Sequence, residues 1–264
     1  MKGVLAQFIR HRAALVSLVR TDLKQRYSDI VAGLFWSVVQ PLLLILLYTF
    51  VFSVVLRVKI GGSTNHLNYG IFLFSGMLPW MVIQESVSRA TSVFFEQRDV
   101  LRHVRLPTYI IPIFPVLTSF LHHMLGLLVF LVLIAFFGYI ISGWIALLLP
   151  AFVALFMFTG AMSVMVAGLN VYWRDAGPLA QSFLWILFFA TPIVYPLDIV
   201  PVRWRWVLEV NPLTHLVELY RSALLGIAPP ASWKVAYLFG WAALSVAAAS
   251  WTFSRLNRDL ADYI

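Results

Sequence analysis

Long apolar runs alternate along this chain with short gaps in which the charged residues collect. A helix that crosses a bilayer needs about 20 mainly apolar residues, because each adds about 1.5 Å against a hydrocarbon layer about 30 Å thick. Residues 30–56 carry no charged side chain and meet that length, with Pro41 inside the run predicting a kink. Residues 69–95 form a second run, interrupted by Glu85 and Arg89 in its later half, and residues 108–138 and 144–170 form a third and fourth joined by a very short turn. A fifth, 179–196, is shorter and closes on Thr191-Pro192-Ile193-Val194-Tyr195-Pro196; a sixth covers 235–253. The pattern predicts an all-α integral membrane protein of six transmembrane helices, folded as a single transmembrane domain over residues 1–264, without internal repeats or low-complexity tracts.

Three stretches fit neither a span nor a simple loop. In residues 4–27, Leu5, Phe8, Ile9, Leu15, Leu18, Val19 and Leu23 recur at helical spacing between basic residues. This predicts an amphipathic helix in the membrane interface, with a solvated cytoplasmic helix as the alternative. It does not read as a signal peptide, because its apolar run is short and is followed by Arg20, Asp22, Lys24 and Arg26. Residues 96–107 form a compact basic connector ended by Pro107. Residues 197–233 hold Trp204, Trp206 and Trp233 and two helical pieces around Asn211-Pro212, which predicts an interfacial or re-entrant element.

Composition supports this picture, since 61% apolar and 11% charged residues leave too little polarity to cover a water-soluble globule. The net charge of +8 sits in the gaps and forms no basic face, which argues against nucleic-acid binding. Twelve Lys and Arg residues fall on the side holding the termini and the 96–107 connector, against six on the other. The asymmetry predicts that both termini are cytoplasmic. The sequence has no cysteine, so disulfides, thiolate metal sites and cysteine nucleophiles are excluded.

Candidate chemistry is sparse. None of the four lysines follows a glycine, so the chain lacks a phosphate-cradling loop and is expected to hydrolyse no nucleotide by itself. His122 and His123 are adjacent and point to different faces of a helix, which favours interhelical hydrogen bonds over a metal site. His215 and Glu218 share a face and read as a local polar contact. Glu85 and Arg89, four residues apart inside an apolar run, fit either a pair near the cytoplasmic mouth of a pathway or two separately satisfied groups, with Arg89 reaching the headgroups. The connector exposes Val100, Leu101, Val104 and Leu106 among positive charges. It fits a helix seated in the groove of a soluble partner or an interfacial helix facing lipid.

One ordered set of motifs resembles the permease subunits of bacterial polysaccharide ABC exporters, which move lipid-linked O antigen, capsule or teichoic acid. It comprises the amphipathic start, Trp36 with Gln40-Pro41, Ser75-Gly76-Met77-Leu78-Pro79-Trp80, the 101–107 connector with Pro112 beyond it, Arg174-Asp175, the 191–196 motif, and Asn211-Pro212-Leu213 followed by Tyr220-Arg221. The resemblance covers nearly the whole chain. It implies a homodimer in the bacterial inner membrane, driven by two copies of a separate ATPase subunit that bind the ATP and magnesium. No cofactor is expected in this chain. The resemblance also implies that residues 97–106 form the ATPase-coupling helix, carried by Asp99, Val100, Leu101, Arg102, His103, Val104, Arg105 and Leu106, and that short periplasmic gate helices lie within 197–233. Leu106 and Thr108 depart from the aromatic and the basic residue that flank the proline in many family members.

Sugar rings present flat C–H faces that pack on aromatic side chains, so a glycan can slide along an aromatic conduit. Phe35, Tyr48, Phe52, Trp80, Trp185 and Tyr195 are the candidates for that lining, each also compatible with facing lipid or the bundle interior. Arg10, Arg12, Arg26 and Arg89 are candidates to meet an anionic lipid diphosphate on the cytoplasmic side, with ordinary headgroup anchoring as the alternative. Two other classes are an ATP-independent carrier, which should show broken helices in two matching halves, and a membrane-embedded glycosyl or acyl transferase, which should cluster its acids or histidines. The sequence shows neither pattern.

Overall fold

The computed structural model describes residues 10–28, 39, 42–43, 46–55, 57, 66–103, 107–136, 138 and 143–256. Every regular element among them is helical. Helix α1 (Arg12–Ser28) precedes the described part of the first apolar run, which ends in a π-helical stretch, Phe50–Val55. Then come α2 (His66–Ala90), the two short helices α3 (Val93–Glu96) and α4 (Arg98–His103), and α5 (Ile113–Phe136). The remaining helices are α6 (Leu148–Tyr172), α7 (Ala176–Phe189), α8 (Val202–Glu209), α9 (Pro212–Leu225) and α10 (Ser232–Leu256).

Four helical segments, Tyr69–Ala90, Thr108–Phe136, Ile145–Tyr172 and Ser232–Leu256, are long and apolar enough to cross a membrane. They coincide with the second, third, fourth and sixth predicted spans, with ends shifted by a few residues. The fifth differs: α7 starts at Ala176 and stops after 14 residues at Phe189. At 1.5 Å per residue it extends about 21 Å, short of the layer's thickness. Residues 190–196 then run as irregular backbone. Pro41 and the expected kink lie outside the described residues.

The most apolar part of α2 is 72% buried, whereas that of α10 is 17% buried. Thus α2 is the axis of the bundle and α10 turns most of its surface outward. Around α2 pack α5, α6, α7 and α9, while α10 lies against α6. The α6–α10 approach is close because small residues permit it: a Cβ on Gly168 would stand 3.3 Å from Phe253 and from Leu256. Buried Ala154, Ala161, Ala242 and Ala249 extend the same small-residue pattern along both helices.

A second apolar cluster closes the end of the bundle nearest the connector. Leu15 of α1 packs there with Ala90, Val93, Phe94, Ile110, Ile111, Phe114, Val171 and Phe253, joined by Leu18 and Val19. One stripe of α1 is therefore seated on protein, while Val16 on another face is 65% exposed. Asn170 at the end of α6 fastens this region. Its Nδ2 donates to the Thr91 carbonyl just past α2 at 2.6 Å, and its Oδ1 accepts from the Gly177 amide of α7 at 2.9 Å.

Candidate functional site

Side chains from the first apolar run, α2 and α7 enclose a cleft of roughly 460 Å³, counting its open mouth. Tyr48, Met77, Trp80, Gln84, Gln181, Leu184, Trp185 and Phe188 line it. Three of the six aromatic candidates, Tyr48, Trp80 and Trp185, thus meet at one site. Positions 77, 80, 84 and 181, 184, 185, 188 recur at three or four residues, so each helix offers one face to the cleft.

The aromatic wall continues beyond the cleft. Tyr48 lies 6.3 Å from Phe188 and 6.2 Å from Phe52, and Phe52 stacks on Tyr69 at 6.1 Å between ring centroids. Trp80 meets Phe188 at 5.4 Å. Phe52 therefore extends the wall without lining the cleft. Phe35 lies outside the described residues. Sequence reasoning missed Phe188, Tyr69, Gln84 and Gln181; the helical spacing of Gln84 from Trp80 and of Phe188 from Trp185 was the available signal.

Tyr195 has a different position, in the irregular segment after α7. Its hydroxyl donates to the Phe189 carbonyl at 2.7 Å. Neighbouring carbonyls are satisfied in the same way: Thr191 Oγ1 donates to Leu187 at 2.7 Å, Asn211 Nδ2 to Ala190 at 3.1 Å, Arg221 Nη2 to Ile193 at 2.8 Å, and the Tyr69 hydroxyl to Val194 at 2.6 Å. Side chains thus take three carbonyls of the irregular segment, Ala190, Ile193 and Val194, and two in the last turn of α7, Leu187 and Phe189, so that buried backbone away from the helix is satisfied by protein groups.

Two of these partners, Asn211 and Arg221, come from the cap and body of α9, the second helical piece around Asn211-Pro212. Asn211 caps its start by accepting from the Leu213 amide at 3.0 Å, and Pro212 fits the first turn, where no amide donor is needed. Gly226 ends it with a φ of 70°, a left-handed conformation that costs a glycine nothing. Arg221 is buried and places its guanidinium 3.5 Å from the centroid of the Phe72 ring. His215 and Glu218 do meet, at 3.3 Å, and Lys234 of α10 donates to both Glu218 oxygens at 3.0 and 3.1 Å. Burial pushes the Glu218 carboxyl up, but hydrogen bonds from His215 and Lys234, and their charges, outweigh it and hold the pKa below the ordinary value.

The two adjacent histidines reach different helices, as their opposite faces require. His123 Nε2 meets the Tyr220 hydroxyl at 2.9 Å, and His122 Nδ1 meets Glu85 at 3.3 Å. Arg89 pairs with Asp22 of α1. Glu85 and Arg89 thus engage separate elements, and the pairing across α1 and α2 was not legible because it joins residues far apart in sequence. Arg10 and Arg12 are exposed on and before α1. The side chain of Arg26 lies outside the described residues.

In the connector, α4 presents Asp99 exposed and Leu101 half-buried, with Leu101 packed at the margin of the cluster that holds Leu15 and Phe94. Val100, Arg102 and His103 are helical, but their side chains and all of Val104, Arg105 and Leu106 fall outside the described residues. Among the described residues no three His, Cys, Asp or Glu side chains group as metal ligands.

The chain matches the ABC-2 type transporter membrane family over residues 13–225. It is 30% identical to an O-antigen export system permease of Myxococcus xanthus, with the whole of both chains covered. It is 28% identical to an O-antigen export system permease of Klebsiella pneumoniae over 80% of each chain, and 21% identical to a polysialic acid transport protein of Escherichia coli over 81% of this chain and 82% of that one. The chain belongs to the ABC-2 type transporter family and is a multi-pass membrane permease, a transporter component and not an enzyme.

Proposed function

We propose that this ABC-2 family permease forms the transmembrane pathway of an exporter for lipid-linked polysaccharide, most closely of the O-antigen kind. The observation that carries the reading is the end-to-end match to the Myxococcus xanthus O-antigen permease. The cleft is its geometric counterpart, with aromatic faces for sugar rings and no carboxylate or ammonium among the described lining residues to arrest a moving polymer.

In this reading the first run and α7, completed by residues 190–196, join the four long helices to make six crossings. Two copies of the chain face each other across the first and fifth crossings in the cytoplasmic membrane, with termini inside. Two ATPase subunits bind ATP and magnesium and press on α4 and the residues after it. Arg10, Arg12, Arg26 and Arg89 stand near the intake, where basic groups favour the carrier diphosphate. Closure of the ATPases moves the α3–α4 connector, and the Asn170 bonds to Thr91 and Gly177 pass that motion to α7 beside the cleft. This bundle of six crossings and its helix roles rest on the residue pattern and on the family.

Deleting this gene and the ATPase gene together in their own organism, then restoring either one or both, tests the function. Surface polysaccharide should vanish on deletion and return only with both genes. Unchanged surface polysaccharide after deletion would refute export by this chain.

A further inference from the structure

Two amides in the cleft have one end fastened and the other available. The Trp80 Nε1–H, which can only donate, bonds to Gln84 Oε1 at 3.1 Å, so the Gln84 NH2 must point elsewhere. Ser88 Oγ donates to Gln181 Oε1 at 3.1 Å, so the second amide also has its oxygen engaged. No other hydrogen bond among the described residues engages either NH2, and neither nitrogen is buried without a partner. The two glutamines come from α2 and α7 and line one cleft, so their free donors share it with the side chains of Trp80 and Trp185.

Donors beside aromatic faces match a sugar ring, whose C–H face stacks while its hydroxyls accept hydrogen bonds at the edge. Charge completes the assignment. No Asp, Glu, Lys, Arg or His is among the described residues lining the cleft, and a sugar carboxylate there would leave water for a site where no described lining residue is a cation to receive it. We infer that Gln84 and Gln181 are specificity-determining residues that hold the hydroxyls of a neutral sugar unit in this cleft, and that the glycan passing it carries no carboxylate there. Ser88 is a positioning residue, since it acts by fixing Gln181. This assignment rests on the export reading and narrows its substrate class.

The test uses the full chain in nanodiscs and two probes of equal length, a neutral manno-oligosaccharide and an oligogalacturonate. The neutral probe should bind saturably, and the oligogalacturonate should not. Gln84→Met with Gln181→Met should weaken the neutral probe about tenfold or more, the loss of two hydrogen bonds, while Ser88→Ala should weaken it about threefold. Equal binding of the two probes, or unchanged binding by the double variant, would overturn the assignment. So would no saturable binding of the neutral probe, which would give the cleft to lipid or to a second copy of the chain. If the double variant fails to reach the membrane, the wild-type comparison decides alone. Surface polysaccharide in the deletion strain separates the outcomes: its loss together with undiscriminating binding sinks only this assignment, whereas its persistence sinks the export reading itself.

Discussion

Asn211 shows how one side chain serves two elements at once. Its oxygen caps α9 at the Leu213 amide, while its Nδ2 takes the Ala190 carbonyl and the Thr191 hydroxyl oxygen past the end of α7. Asn211→Ala removes the cap and leaves that carbonyl without this donor, so we expect a loss of about 1–3 kcal/mol, read as a lower midpoint of denaturant unfolding in detergent. Asn211→Asp keeps the acceptor and should recover part of the loss. Glu218 sets a pH dependence whose sign follows from its environment. Its carboxyl is held below the ordinary range, so its contribution is complete above about pH 4.3 and fades as pH falls through the lower folded value. Glu218→Gln should flatten the acid limb of a thermal-stability profile, and an unchanged limb would assign it to other carboxylates.

At the scale of elements, the junction of α2, α6 and α7 depends on Asn170. Asn170→Ala removes the acceptor of the Gly177 amide, and hydrogen exchange at the start of α7 should accelerate by about tenfold while α6 stays protected. The long helices were legible because twenty-odd apolar residues in a row leave a chain few options in lipid. How the backbone past the end of α7 is held was not legible, because the carbonyls of Ala190, Ile193 and Val194 are taken by distant partners, Asn211, Arg221 and Tyr69. The same limit hid the Arg89–Asp22 pair, whereas the contact between His215 and Glu218 was readable from their spacing in one helix. Among the pathway candidates, Tyr48, Trp80 and Trp185 lie in the cleft and Tyr195 lies in the irregular segment after α7. Aromatic type alone marks a residue as fit for a sugar face without saying which way it points.

At the scale of the whole molecule, the proposed function has the permease take mechanical work from a separate ATPase through a short connector and apply it to a cleft at the side of α2. The natural lack of cysteine makes this directly measurable, since a single introduced thiol is the only one in the chain. Leu101→Cys places it on α4, at the edge of the cluster that joins α1, α3 and α6. In sealed inner-membrane vesicles of known orientation, the account predicts labelling by an impermeant thiol reagent from the cytoplasmic face, and a crosslink to a soluble ATPase that strengthens when nucleotide is bound. Labelling from the opposite face alone, or no crosslink to any nucleotide-hydrolysing subunit along residues 97–106, would contradict it.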